Sequence, residues 1–142
     1  MSQPKMTVSY DGTKRWILNG YCHREDGPAI EYPNGSKHWL LNGQYHREDG
    51  PAVENSDGSK EWCINGQYHR EDGPAVERSD GSKFWYLNGK YHREDGPAIE
   101  NSDGTKEWFL NDEEVTWQQL FRQANGDLEK ECRILTYTLT NG

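Results

Sequence analysis

Histidine and tryptophan recur on one interval through most of this chain. His23, His46, His69 and His92 are each 23 residues apart, and Trp16, Trp39, Trp62, Trp85 and Trp108 keep the same spacing. A fixed period of this length is a tandem repeat. It restricts the fold to a serial array, in which one supersecondary unit buries the next.

The period also decides how the composition is read. Only 32% of the 142 residues are hydrophobic and the mean hydropathy is -1.15, values usual for disordered chains. Six Trp and eight Tyr set periodically between Gly-rich turns argue for order, because a repeat array stays folded on a thin core.

One repeat reads "DGSKEWCINGQYHREDGPAVENS". "DGS" and "NG" are tight-turn signals, and "KEWCI" between them has the length and alternation of a short strand, which predicts a β-hairpin. Asn-Gly at 19, 42, 65 and 88 suits a type I′ turn with positive φ at both central residues. At 111 to 115 it becomes "NDEEV", so the array is expected to stop there. Identical units in a meander need an even number of reversals, so "QYHREDGPAVEN" is read as one long bent segment with Gly-Pro at its kink and a glycine-permitted bulge.

Within the short strand, side chains alternate between two faces. Lys-Trp-Leu/Ile is the same in every unit, which predicts that this face forms the core. The other positions vary: Arg15, His38, Glu61, Phe84 and Glu107 in one row, and Ile17, Leu40, Cys63, Tyr86 and Phe109 in the second. These two rows are the candidate partner-binding residues. Successive Trp rings recur at about 10 Å, two strand spacings, and so cannot stack directly. Tyr45, Tyr68, Tyr91 and the Val or Ile after "GPA" are the expected fillers.

The period changes at residue 116. Trp117, Leu120, Phe121 and Ala124 fall at i, i+3, i+4 and i+7, with Thr116 and Gln119 forming a capping box and Asn125-Gly126 a stop, which predicts a helix over about 116–125. Leu135, Tyr137 and Leu139 alternate with threonines, which predicts a closing strand over about 134–140. The chain therefore divides into a lead-in (1–7), a repeat array (8–111) and a C-terminal cap (112–142). The helix is expected to cover the apolar row near Tyr86 and Phe109. At about 15 Å it is too short to reach the rest of an array ~45 Å long, which leaves an open stripe near Arg15, His38 and Glu61 for a partner protein or a second copy of the chain.

The net charge is -8, with acids distributed in small groups near Lys or Arg, which makes nucleic acid and anionic membrane poor partners. Cys22, Cys63 and Cys132 are odd in number and lack metal-ligand spacing, and no apolar run suits a signal peptide or membrane span. The expectation is a cytoplasmic protein with reduced thiols.

"HRED" has the chemistry of an active site, with His as base, Glu or Asp as orienter and Arg as anion clamp. Its copying favours another reading, since catalytic constellations are single and asymmetric. A motif in four adjacent units suits a structural ladder of His23, His46, His69 and His92 with Arg24, Arg47, Arg70 and Arg93, laid beside the five tryptophans. Equivalent histidines about 10 Å apart cannot share an ion whose ligands sit at ~2.0 to 2.2 Å. No catalytic residue, metal site or cofactor is therefore expected; the alternative is a small hydrolase or metal-binding protein built on the quartet.

The units "HREDGPA" and "W-x-L-N-G" with regular Trp, Gly and Tyr resemble MORN repeats, in a variant form, over about residues 8–111. The resemblance implies an all-β repeat: an elongated antiparallel sheet of five 23-residue hairpin units, capped by the C-terminal helix and strand. It also implies a scaffold or protein-binding platform of bacterial or phage type, and an accessory protein that binds and inhibits or adapts a host complex such as a defence system. An acidic DNA mimic that occupies a nucleic-acid-binding protein is the alternative inhibitor.

Overall fold

The computed structural model describes residues 2–140. It is an elongated array of antiparallel β-hairpins followed by two helices. Strand β1 (Lys5–Val8) pairs with β2 (Lys14–Leu18), with Met6 opposite Trp16. From β2 onward the eleven-stranded sheet alternates the strand after "GPA" with the strand after "DGS": Ile30–Glu31, Lys37–His38, Val53–Glu54, Lys60–Glu61 and so on to Lys106–Glu107.

The Asn-Gly turns, with Asn-Asp in the fifth unit, close short hairpins at the side of this sheet. In the first unit β2 runs through Trp16 to pair with Tyr21–Cys22. In the other four the strand is broken at Trp39, Trp62, Trp85 and Trp108, and the hairpins form separate two-stranded ladders. The break corrects the expectation of one continuous strand and follows from the hydrogen bonding. Trp39 donates its N–H to the Ala52 carbonyl in the long sheet, while its own carbonyl accepts from His46 N–H in the hairpin. The backbone changes partners at the indole.

The turns follow the chemistry predicted for them. Asn19, Asn42, Asn65 and Asn88 have φ between 50° and 52° and their glycines between 78° and 82°. The fifth turn is not lost, contrary to expectation: Asn111 and Asp112 take φ of 49° and 66°. Asp tolerates this region better than most residues, and the Asp112 carboxylate accepts the Tyr91 N–H at 2.7 Å. At "DGP" the chain does bend as one long segment, but the glycines have no positive φ there. A Cβ at Gly73 would stand 2.9 Å from Arg70 Cζ, so glycine makes room for the guanidinium and no bulge is needed.

The register places the core on the opposite side from the one expected. Residues directly opposite in an antiparallel pair share a face, so Arg15, Ile30, His38, Val53, Glu61, Val76, Phe84, Ile99 and Glu107 form one row across the sheet. Ile30, Val53, Val76 and Ile99 in that row are buried, as are Ala29, Ala52, Ala75 and Ala98 beside them, with Leu40 and Cys63 of the hairpins. The other face carries Lys14, Glu31, Lys37, Glu54, Lys60, Glu77, Lys83, Glu100 and Lys106 in strict alternation, placing opposite charges on every cross-strand pair. The charged lysine row that repeats without change thus faces solvent, and the varying rows pack to different degrees, with Leu40 and Cys63 buried and Glu107 exposed.

Helix α1 (Trp117–Ala124) has the predicted capping box, Thr116 and Gln119 exchanging both bonds, and Asn125 closes it in the left-handed region. The predicted closing strand is instead a second helix, α2 (Leu128–Thr140). Leu-Glu-Lys-Glu are strong helix formers, Glu129 and Glu131 suit the positive end of the dipole, and Asp127 accepts the Lys130 N–H. Buried Ile134 and half-buried Tyr137 share a helical face. The threonines suggested alternation, but Thr136 and Thr138 bond back to the Cys132 and Leu135 carbonyls. Leu120 of α1 and Ile134 of α2 are buried where the helices pack. No helix among the described residues is long and apolar enough to cross a membrane.

Candidate functional site

The His-Arg-Glu-Asp quartet divides its labour. Each histidine reaches the next unit: Nδ1 of His23, His46, His69 and His92 accepts the N–H of Asn42, Asn65, Asn88 and Asn111 at 2.9 to 3.2 Å. That bond anchors the first residue of each following turn. The adjacent arginine amide donates to the next hairpin as well, Arg47 N–H to the Cys63 carbonyl, and Gly66 N–H returns to the Tyr45 carbonyl.

The arginine side chain works within its own unit. Cζ of Arg24, Arg47, Arg70 and Arg93 lies 3.8 to 3.9 Å from the centroid of Trp16, Trp39, Trp62 and Trp85. The same guanidinium donates from Nε to the aspartate two residues on and from Nη1 to the proline carbonyl of "GPA". In units two to four it also meets Glu54, Glu77 or Glu100. The filler over Trp16, Trp39, Trp62 and Trp85 is therefore arginine, not the expected tyrosine: a flat cation stacks on an indole face and its fork still reaches carboxylate and carbonyl.

These commitments leave the acids on the outside. Glu25, Glu48 and Glu71 are 83 to 85% exposed, and Asp26, Asp49 and Asp72 are each 87% exposed. The Glu carboxylates stand 3.6 to 3.8 Å from histidine Nε2. Between successive acidic loops lie three equivalent open grooves of 820, 840 and 530 Å³, floored by Trp39 with Leu41, Trp62 with Ile64, and Trp85 with Leu87. The third is bounded by Lys130 and Arg133 of α2.

The fourth acidic loop is covered. Arg133 Nη1 pairs with Asp95 Oδ2 at 2.7 Å, Lys130 Nζ with Glu94 at 3.4 Å, and Arg93 Nη2 donates to the Tyr137 hydroxyl at 2.8 Å. Tyr137 also sets its ring edge-on to Trp108, the tryptophan with no arginine of its own. Burial opposes charge on Asp95, but Arg133 and Arg93 outweigh it and hold the carboxyl below its ordinary value. The cap thus lies against the Trp-Arg-Asp side of the array, and not over Tyr86 and Phe109 as expected.

The candidate partner rows face the interior to different degrees. Leu40 and Cys63 are buried, which withdraws them from a contact surface; Ile17, Tyr86 and Phe109 are half-buried. Burial and nearby Glu61 raise the Cys63 thiol to about 12, an unreactive state. His38 lies edge-on to Tyr32 and Tyr45, and burial lowers its basicity. Glu61 accepts from the Tyr68 hydroxyl, and Tyr86 stacks on Tyr91 at 4.3 Å beside Phe109. Arg15 bonds Ser9, Arg78 lies over Phe84, and Glu107 is exposed.

Sequence reasoning missed the exposed acids as a surface, together with Lys130, Arg133 and Tyr137. Their spacing of i, i+3 and i+7 is legible only once the segment is helical. Among the described residues no group of three His, Cys, Asp or Glu side chains is placed to hold a metal ion. No protein-family model matches the sequence, and no curated protein is significantly similar to it.

Proposed function

We propose that the chain is a non-enzymatic protein-binding module of MORN-like type. The observation that supports this most is the groove built three times along one face, each with an apolar floor and exposed charged rims. Serial sites of similar make-up on a repeat array suit an extended partner better than a small substrate. The quartet is consumed in holding the array together. The specific form of the reading is a phage-type accessory protein, acting in the cytoplasm to inhibit or adapt a host complex such as a defence system.

The test is affinity capture from host lysate with the full-length protein, followed by reconstitution from purified components. The expected result is a stoichiometric complex by light scattering, retained when His69 is replaced by Ala. A chemical turnover abolished by His69→Ala would replace the binding reading with the hydrolase alternative.

A DNA-mimic inhibitor is the second reading, supported by the regular exposure of the paired carboxylates. It requires the captured partner to be a nucleic-acid-binding protein that releases duplex DNA on complex formation.

A further inference from the structure

The fourth acidic loop already holds an occupant, and the first three repeat its chemistry. Lys130 and Arg133 of α2 engage Glu94 and Asp95, and Tyr137, on the same helical face, meets Arg93 and Trp108. This contact reduces the exposure of Asp95 to 25%, against 87% for Asp26, Asp49 and Asp72. Those three loops keep the same arginine-on-tryptophan platform and the same outward carboxylates, with a charged groove of apolar floor between each pair. A helix face with two cations and an aromatic residue therefore has a seat at the fourth loop, and three loops with the same outward acids stand open in a protein of net charge -8, the next indole beside each carrying its own arginine.

We propose that the open acidic grooves bind a helix of a partner protein that carries Lys or Arg at i and i+3 and an aromatic residue at i+7, the pattern α2 shows at 130, 133 and 137. This rests on the binding-module reading and names its partner's chemistry. The cations pair with Glu48 and Asp49 or Glu71 and Asp72, and the aromatic residue enters the groove against the aliphatic neighbour, Ile64 or Leu87, beside the arginine-covered indole. Electrostatic complementarity sets orientation and encounter rate, and apolar contact on the groove floor lowers the off-rate.

The probe is a fluorescein-labelled peptide of residues 127–140 with Cys132→Ser, held helical by a lactam on the face away from Lys130 and Arg133. It is titrated with the full-length protein by anisotropy. Saturable binding is expected, weakened about tenfold or more by Glu48→Lys with Glu71→Lys in the protein, or by Lys130→Glu with Arg133→Glu in the peptide. Both protein sites are exposed rims, so an unchanged melting temperature separates lost binding from lost fold. Equal binding by either variant overturns the proposal, as does a dimer formed by exchange of α2 that blocks the peptide. The two readings fail separately. A captured partner held equally by Glu48→Lys/Glu71→Lys overturns the groove assignment and leaves the binding module standing. Peptide binding that depends on those glutamates supports the assignment whatever lysate capture returns.

Discussion

The guanidinium of Arg47 lies on the indole of Trp39, with Cζ 3.8 Å from the ring centroid, while its nitrogens bond Asp49, the Pro51 carbonyl and Glu54. One side chain closes the acidic loop, covers the tryptophan and ties the loop to the long sheet. The arrangement recurs at Arg70 and explains why glycine follows the acids: Gly50 and Gly73 leave the space the guanidinium fills.

Gly73→Ala should therefore destabilise the array by about 1 to 2 kcal/mol, although Gly73 does not occupy the left-handed region. In an Arg70→Ala background the same substitution should cost much less, because the group it collides with is gone. Urea denaturation of the double-mutant cycle measures this coupling. Additive costs would mean that Gly73 serves the backbone alone.

His69→Ala removes the acceptor for Asn88 N–H and should cost about 1 kcal/mol. His23 is more buried than its copies, so His23→Ala should cost more. Hydrogen exchange at the Asn42 and Asn88 amides checks both, with faster exchange expected only at the amide whose histidine is missing.

Asp112→Ala loses both the Tyr91 N–H acceptor and a residue tolerant of positive φ, and should weaken the last hairpin by about 1 to 2 kcal/mol. Asp112→Gly restores the backbone freedom but not the acceptor, so its cost should be smaller. Tyr91 amide protection distinguishes the two.

Thr13 is buried, and its hydroxyl lies near the exposed Asp11 carboxylate but in no well-formed hydrogen bond. The equivalent Ser36 and Ser82 hydroxyls accept the amide N–H of Ser56 and Ser102, twenty residues on; for Thr13 that place is Pro33, which has no N–H. Thr13→Val should raise stability by about 1 kcal/mol, whereas Ser82→Ala should lower it by a similar amount. Thermal melts of the two variants should move in opposite directions.

Arg133→Glu should release α2 from the fourth acidic loop and expose Trp108, seen as a red shift of tryptophan emission. Acid should do the same to the unaltered chain. The Asp95 carboxyl is held below its ordinary value, so its contribution is complete above that value and is lost as pH falls through the lower, folded one.

The repeat made the hairpin array legible because turn chemistry is local: Asn-Gly states its φ values wherever it stands. The faces were not legible, since sameness from unit to unit marks any position under a shared constraint. At Lys14, Lys37 and Lys60 that constraint is the charge alternation with Glu31, Glu54 and Glu77, not burial. The varied residues could differ because each packs against a different neighbour, as His38 does with Tyr45 and Tyr86 with Tyr91. The closing segment failed for a related reason. Leu135, Tyr137 and Leu139 fit a period of two by sequence, but the contacts of Ile134 and Tyr137 with the rest of the fold choose the helical one.

The function of the quartet turns on where its histidine nitrogens point. Long-range nitrogen–proton correlation in mildly alkaline buffer reads all four rings at once. The expected result is one pattern four times over: proton on Nε2, and Nδ1 coupled to the amide of Asn42, Asn65, Asn88 or Asn111. A ring with its proton on Nδ1, or one of the four differing from the rest, would contradict the assignment of the quartet to joining unit to unit.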